Sequence, residues 1–187
     1  MKRWIKRIAA GLGLALLPVL AFAIFLYATS NYHVVIPGEL YRSAQMTPET
    51  LADHQRQDGF KSVLNLRGAS PGKAWYDGEV AMAKELGLTH VDFGLSARRE
   101  VTPAETEALL AIMRDLPKPI LIHCFRGADR TGFVVAMYMA DIKKAGLATA
   151  SGQLSVRYGH IGLPHLSEAY PMDISWDREV AARGYTN

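Results

Sequence analysis

Cysteine is nearly missing from this chain: its 187 residues contain one, Cys124. A single cysteine excludes an internal disulfide and any metal site built from cysteine pairs. A basic face is missing as well. The formal net charge is +3, but Lys2, Arg3, Lys6 and Arg7 supply four of the 21 basic residues, leaving 17 basic against 18 acidic. Binding to nucleic acid needs clustered Lys/Arg interleaved with exposed aromatics. No such stripe occurs, so nucleic acid is not an expected partner. Repeats and low-complexity tracts are also lacking. What remains is 49% hydrophobic and 21% charged, the composition of a globular protein. About 155 residues follow the N-terminal segment, enough to bury a core without disulfides or metals.

Charge is absent from one long stretch, the 22 residues Ile8 to Thr29, which follow the four basic residues. As a helix this stretch would be about 33 Å long, which predicts a transmembrane anchor. The basic residues before it keep the N-terminus inside, so residues 30–187 are expected as a single domain outside the cytoplasm, at the inner membrane. Two other readings stand beside this one. A secretory signal cleaved after Ala21-Phe22-Ala23 would release the domain to the periplasm, and a buried core helix is the third. Ile24, Phe25 and Leu26 carry the apolar run past the cleavage pattern, which favours the anchor.

Beyond residue 30, short apolar strands alternate with helices. Thr47-Pro48 opens a helix that Gly59 closes. A strand follows at 61–66, then a helix from 74 to 86 and a strand from 88 to 93. Thr102-Pro103-Ala104-Glu105 combines an N-cap, a first-turn proline and a capping-box glutamate, and its helix runs to Asp115. Ile120 to His123 is a short buried strand, followed by a loop and an apolar helix over 131–145. Two or three shorter helices are expected in 149–187. This alternation predicts an α/β fold with a mostly parallel central sheet flanked by helices. Ligands of such sheets bind beyond the carboxyl ends of strands, where a loop enters the next helix.

The junction His123-Cys124-Phe125-Arg126-Gly127-Ala128-Asp129-Arg130-Thr131-Gly132 has that character. A loop between a strand and a helix N-terminus can aim several backbone N–H groups into one anion-binding hollow. Gly127 and Gly132 permit the turn and the close approach. A thiol at the start of the loop sits in the same positive field, which favours the nucleophilic thiolate. Arg130 can return over the hollow with a planar fork matched to two phosphoryl oxygens. Thr131 can hydrogen-bond the sulfur as it leaves, and His123 reads as a brace. Phe125, Arg126, Gly127, Ala128 and Thr131 are the expected substrate-binding positions, with Cys124 and Arg130 catalytic. A buried, inert cysteine is the plain alternative for Cys124, and a solvated position is the alternative for Arg126.

This stretch resembles the Cys-x5-Arg-Thr/Ser signature of the cysteine-dependent tyrosine and dual-specificity phosphatases. Tyr41-Arg42-Ser43-Ala44-Gln45, followed by 61–67, is similar to the opening of the atypical dual-specificity phosphatases of plants, fungi and bacteria, which include secreted bacterial tyrosine phosphatases. The resemblance covers roughly residues 38–160. It implies a three-layer α/β fold, no metal or other cofactor, and a phosphocysteine intermediate. The implied substrates are phosphorylated proteins or, alternatively, phospholipid or inositol phosphates. A rhodanese-type sulfurtransferase and a catalytically dead phosphate-binding module are lesser readings.

A general acid must protonate the leaving oxygen. The Trp-Pro-Asp triplet of many tyrosine phosphatases is absent. Asp92, at the end of a strand, resembles the acid of the mobile loop in dual-specificity enzymes. Asp129, inside the phosphate loop, resembles the acid of the myotubularin and Sac-type lipid phosphatases. Glu100 is a third candidate. Arg98 and Arg99 read either as a second phosphate contact or as a solvated turn. Trp75 and Tyr76 read as packing, and His54, His90, His160 and His165 show no metal-ligand spacing.

Overall fold

A computed structural model of the chain describes residues 2–186. The side chains of residues 2, 3, 5–12 and 15 lie outside that description. The elements follow the predicted alternation. After α1 (Lys2–Ala28) come β1 (His33–Ile36), β2 (Leu40–Ser43), α2 (Pro48–Asp58), β3 (Ser62–Asn65), α3 (Ala74–Glu85) and β4 (Thr89–Asp92). Then follow α4 (Pro103–Asp115), β5 (Ile120–His123), α5 (Asp129–Met137), α6 (Leu147–Ser151) and α7 (Tyr170–Arg183).

Local chemistry sets the boundaries. Thr47 accepts a hydrogen bond from the Thr50 N–H and caps α2, and Gly59 closes it in the left-handed conformation. Thr102 and Glu105 form the reciprocal capping box of α4. The helix expected over 131–145 starts two residues earlier and ends sooner. Past Met137 it widens into a π-helical turn, Tyr138–Ile142. The C-terminal part holds one substantial helix, the 14-residue α7, rather than only short ones.

The five strands form one sheet in the order β1-β2-β5-β3-β4. Side chains of β5 alternate between two cores, as the two-residue strand period demands. Ile120 and Ile122 join the larger core with Leu109, Phe133 and Trp176, whereas Leu121 joins the smaller one with Tyr41, Leu51 and Phe60. With both faces covered, the central strand is a continuous apolar run. Cys124 therefore follows the central, fully buried strand, at its carboxyl end.

Two parts of the expected fold class are corrected. The sheet is mixed: β2, β5, β3 and β4 are parallel, but β1 pairs with β2 antiparallel, because only the short Pro37-Gly38 turn joins them. Nor do the described residues hold a transmembrane helix. Among the described residues, no helix is long and apolar enough to cross a membrane. The first part of the predicted span, residues 8–12, lies outside the described side chains. The membrane partnership expected through this segment loses its support with it.

Candidate active site

The loop 124–128 joins β5 to α5, and its shape follows from where its carbonyls point. The Phe125 carbonyl accepts from the Gln45 N–H at 3.2 Å, and the Arg126 carbonyl accepts from Asn31 Nδ2 at 2.9 Å. The Gly127 carbonyl accepts from the Arg42 guanidinium at 2.9 Å, and the Ala128 carbonyl from the Gly132 N–H at 2.8 Å. Four successive carbonyls are thus taken by the surrounding scaffold. In a trans peptide the next N–H points opposite its carbonyl, so the N–H groups of residues 126–129 turn toward the concave side. One of them is seen in use: the Gly127 N–H donates to Cys124 Sγ at 3.3 Å. Gly127 has a φ of +69°, and a Cβ there would lie 2.5 Å from the Ser43 carbonyl carbon. Only glycine fits against β2 at this point.

The hollow opens into a cavity of about 510 Å³ lined by Cys124, Phe125, Arg126, Ala128, Asp129 and Arg130, with Ala97, Arg98 and Glu168 at its edge. Cys124 is buried and Arg130 half-buried. Arg130 Nη1 donates to the Leu66 and Leu95 carbonyls at 3.2 and 3.0 Å, which fixes the guanidinium beside the loop. Thr131 is fully buried, and its hydroxyl has no partner among the described residues. Phe125 and Arg126 stand exposed at the rim.

Behind the loop lies a buried polar layer. His123 places Nε2 3.2 Å from the Glu79 carboxylate and Nδ1 3.3 Å from the Cys124 carbonyl, which agrees with a bracing role. Glu79 also accepts from Gln45 and pairs with His90 at 2.9 Å. Burial would push the Glu79 carboxyl up, but His123, His90 and Gln45 outweigh it and hold it well below the usual carboxylate range.

The acid candidates separate by strand order. Asp92 ends β4, the edge strand, with β3 between it and β5. At about 4.8 Å per strand it stands roughly 10 Å from the nucleophile's strand. Its carboxylate is also occupied, by Asn65 Nδ2 at 2.7 Å and the Tyr76 hydroxyl at 2.6 Å. Glu100 faces Arg178 at 3.3 Å, away from the cavity. Asp129 lines it, and Oδ1 sits 2.8 Å from His160 Nδ1. The pair Arg98 and Arg99 divides: Arg98 lines the cavity edge and bonds Glu168 at 2.9 Å, while Arg99 is held by Glu105.

Residues 34–160 match the family described as a dual-specificity-type tyrosine phosphatase domain (DSP-PTPase) fused to NAD+ kinase. The chain belongs to this family. It is a cysteine-dependent phosphatase, as the loop signature implied, and the sulfurtransferase reading falls away. Solved structures share its fold. TpbA of P. aeruginosa is 21% identical, with 81% of this chain and 86% of that one covered and a TM-score of 0.59. The catalytic core of the S. cerevisiae phosphatase SIW14 is 23% identical over 82% and 93%, with a TM-score of 0.57. A DUF442 protein of Shewanella putrefaciens is 17% identical over 84% and 92%, at 0.62. A comparison with curated proteins finds no match.

Several residues of the phosphatase were not singled out from the sequence. Arg42 was noted only within a family resemblance, yet it is fully buried beneath the loop. Asn31, which no motif marked, ties Arg126 to Tyr158. His160 was weighed only as a metal ligand. Trp75, read as packing, stacks on the Arg67 guanidinium at 3.3 Å, and Arg67 in turn faces the Phe125 ring at 5.1 Å.

Proposed function

We propose that this phosphatase hydrolyses phosphoprotein monoesters, phosphotyrosine foremost, with Cys124 as nucleophile. Cys124 Sγ attacks phosphorus while the ester P–O bond breaks. Arg130 and the inward N–H groups of 126–129 hold the three equatorial oxygens. Asp129 gives its proton to the leaving oxygen, then takes one from the water that cleaves the phosphocysteine. Thr131 is placed one residue past Arg130 to hydrogen-bond the departing sulfur. The observation that carries this reading is the set of four outward-tied carbonyls around a buried sulfur, in one cavity with Arg130 and Asp129. The TpbA structure in complex with pTyr supports the substrate class.

A second reading, an inositol-type polyphosphate, is favoured by Arg126 and Arg98 at the rim and by the description of SIW14 as a PP-IP phosphatase. The test compares the full chain with Cys124→Ser on phosphotyrosine peptides and inositol polyphosphates. Wild type should release phosphate and the variant should not. Equal turnover by the two proteins would end the thiolate mechanism. A kcat/KM tenfold higher on inositol polyphosphate would replace the first substrate by the second.

An extracytoplasmic location for the domain is also proposed, supported by the four basic residues before an uncharged stretch and by Ala21-Phe22-Ala23. Cleavage after Ala23 would leave Asn31 in place under the loop. Periplasmic protein beginning at Ile24 is the expected outcome, and intact cytosolic protein would refute it.

A further inference from the structure

The segment after the short turn Val156–Tyr158 runs along the cavity and carries His160, which is 3% exposed. Its ring is held on both sides. Nδ1 lies 2.8 Å from Asp129 Oδ1 on α5, and Nε2 lies 3.0 and 3.1 Å from the two oxygens of Asp173 on α7. The Asp173 carboxylate occupies the space that the missing side chain of Gly162 leaves open: a Cβ there would fall 2.0 Å from its Oδ2. Asp129 and Asp173 are the charged groups acting on the imidazole, one from each helix packed against it. A buried imidazole between two carboxylates is a costly arrangement unless it carries a proton. Burial alone would push its pKa down, but the two carboxylates reverse this and the net direction is up.

We propose that His160 is the positioning residue of the general acid: Asp129 and His160 hold one proton between them, and Asp173 fixes the ring that does so. This deepens the assignment of Asp129 as proton donor and rests on it. In the first half-reaction the Sγ–P bond forms and the P–O bond breaks. The leaving oxygen takes the shared proton from the Asp129 carboxyl, leaving a carboxylate and a neutral imidazole whose Nε2–H stays on Asp173. In the second half, water adds to phosphorus and the P–S bond breaks. The water proton returns to the pair and the sulfur leaves as thiolate. An isolated carboxyl titrates near ~4 and an imidazole near ~6.5, so the pair keeps its proton at pH values where a lone aspartate has lost it.

The experiment measures kcat against pH for the full chain and for His160→Gln, on a phosphotyrosine peptide and on nitrophenyl phosphate. Glutamine keeps a hydrogen bond to Asp129 but does not titrate. The basic limb on the peptide should move down by about two pH units, so the rate at pH 7 falls about 100-fold. Nitrophenyl phosphate, whose leaving group needs little protonation, should change only a few-fold. Gly162→Ala, which leaves all three titrating side chains intact but displaces Asp173, should move the limb the same way. A limb that stays in place, or equal losses on both substrates, overturns the inference. If His160→Gln fails to fold, the His160 titration followed by NMR in Asp129→Asn decides instead. Its pKa should fall, and an unmoved titration overturns the inference. Failure of the underlying reading looks different: Asp129→Asn itself would then cost both substrates equally.

Discussion

Arg42 offers the sharpest test of how this loop is held. It is fully buried on β2, with Nη1 donating to the Gln153 carbonyl at 2.8 Å and to Gln153 Oε1 at 2.9 Å. Nη2 donates to the Gly127 carbonyl, and the guanidinium lies 3.7 Å above the Tyr158 ring. Burial drags its pKa down to about 10, so the charge is penalised by desolvation yet still present at neutral pH. Arg42→Met leaves three acceptors without a donor, each costing about 1–3 kcal/mol, while the buried charge itself no longer has to be desolvated. The net loss should be about 3–5 kcal/mol. Arg42→Lys keeps the charge but not the fork, and should lose about half as much. The Gly127 carbonyl is the one that aims the next N–H into the hollow, so the kinetic effect should accompany the stability effect. We expect kcat/KM on nitrophenyl phosphate to fall at least about tenfold, equal to about 1.4 kcal/mol of lost transition-state stabilisation. Urea unfolding and steady-state kinetics on both variants read the two effects. Arg42→Met with less than about 1 kcal/mol of destabilisation and unchanged kcat/KM would refute the scaffold argument.

Two further outcomes follow from the same geometry. Gly127→Ala should cost about 1–2 kcal/mol for the left-handed backbone alone, with more from the collision with Ser43. It should abolish turnover even where thermal unfolding shows a folded protein; near-normal activity would mean the loop does not need its present shape. Asp92→Asn should leave the leaving-group dependence of kcat untouched. The Asp92 hydrogen bond pushes Tyr76 up to about 12, so its titration in the variant should return toward ~10, measured by ultraviolet absorbance. A steep loss confined to poor leaving groups would restore Asp92 as the acid.

Much of this protein was legible from short-range patterns. The caps at Thr47 and Thr102, the stop at Gly59 and the unbroken apolar run Ile120–Ile122 are signals that act within one turn or one strand, where few neighbours can override them. The signature from Cys124 to Arg130 is likewise local, since six residues suffice to curl a loop over an anion. The antiparallel β1 and the 14-residue α7 were harder, because strand direction and helix length there depend on what the segments pack against. Asp92 shows the same dependence on packing. Its place at a strand end resembled an acid position, but the sheet order set it two strands from the nucleophile's strand, with Asn65 and Tyr76 occupying its oxygens.

The chain alone therefore determined the class of chemistry, because a thiol, a guanidinium and the turn between them lie within seven consecutive residues. Only the tertiary structure decided what holds that turn and which carboxylate stands beside it. Asn31, Arg42 and His160 stand 95, 85 and 31 residues from the loop groups they bond. Contacts at such separations are set by strand order and helix packing, for which a linear pattern carries no signal.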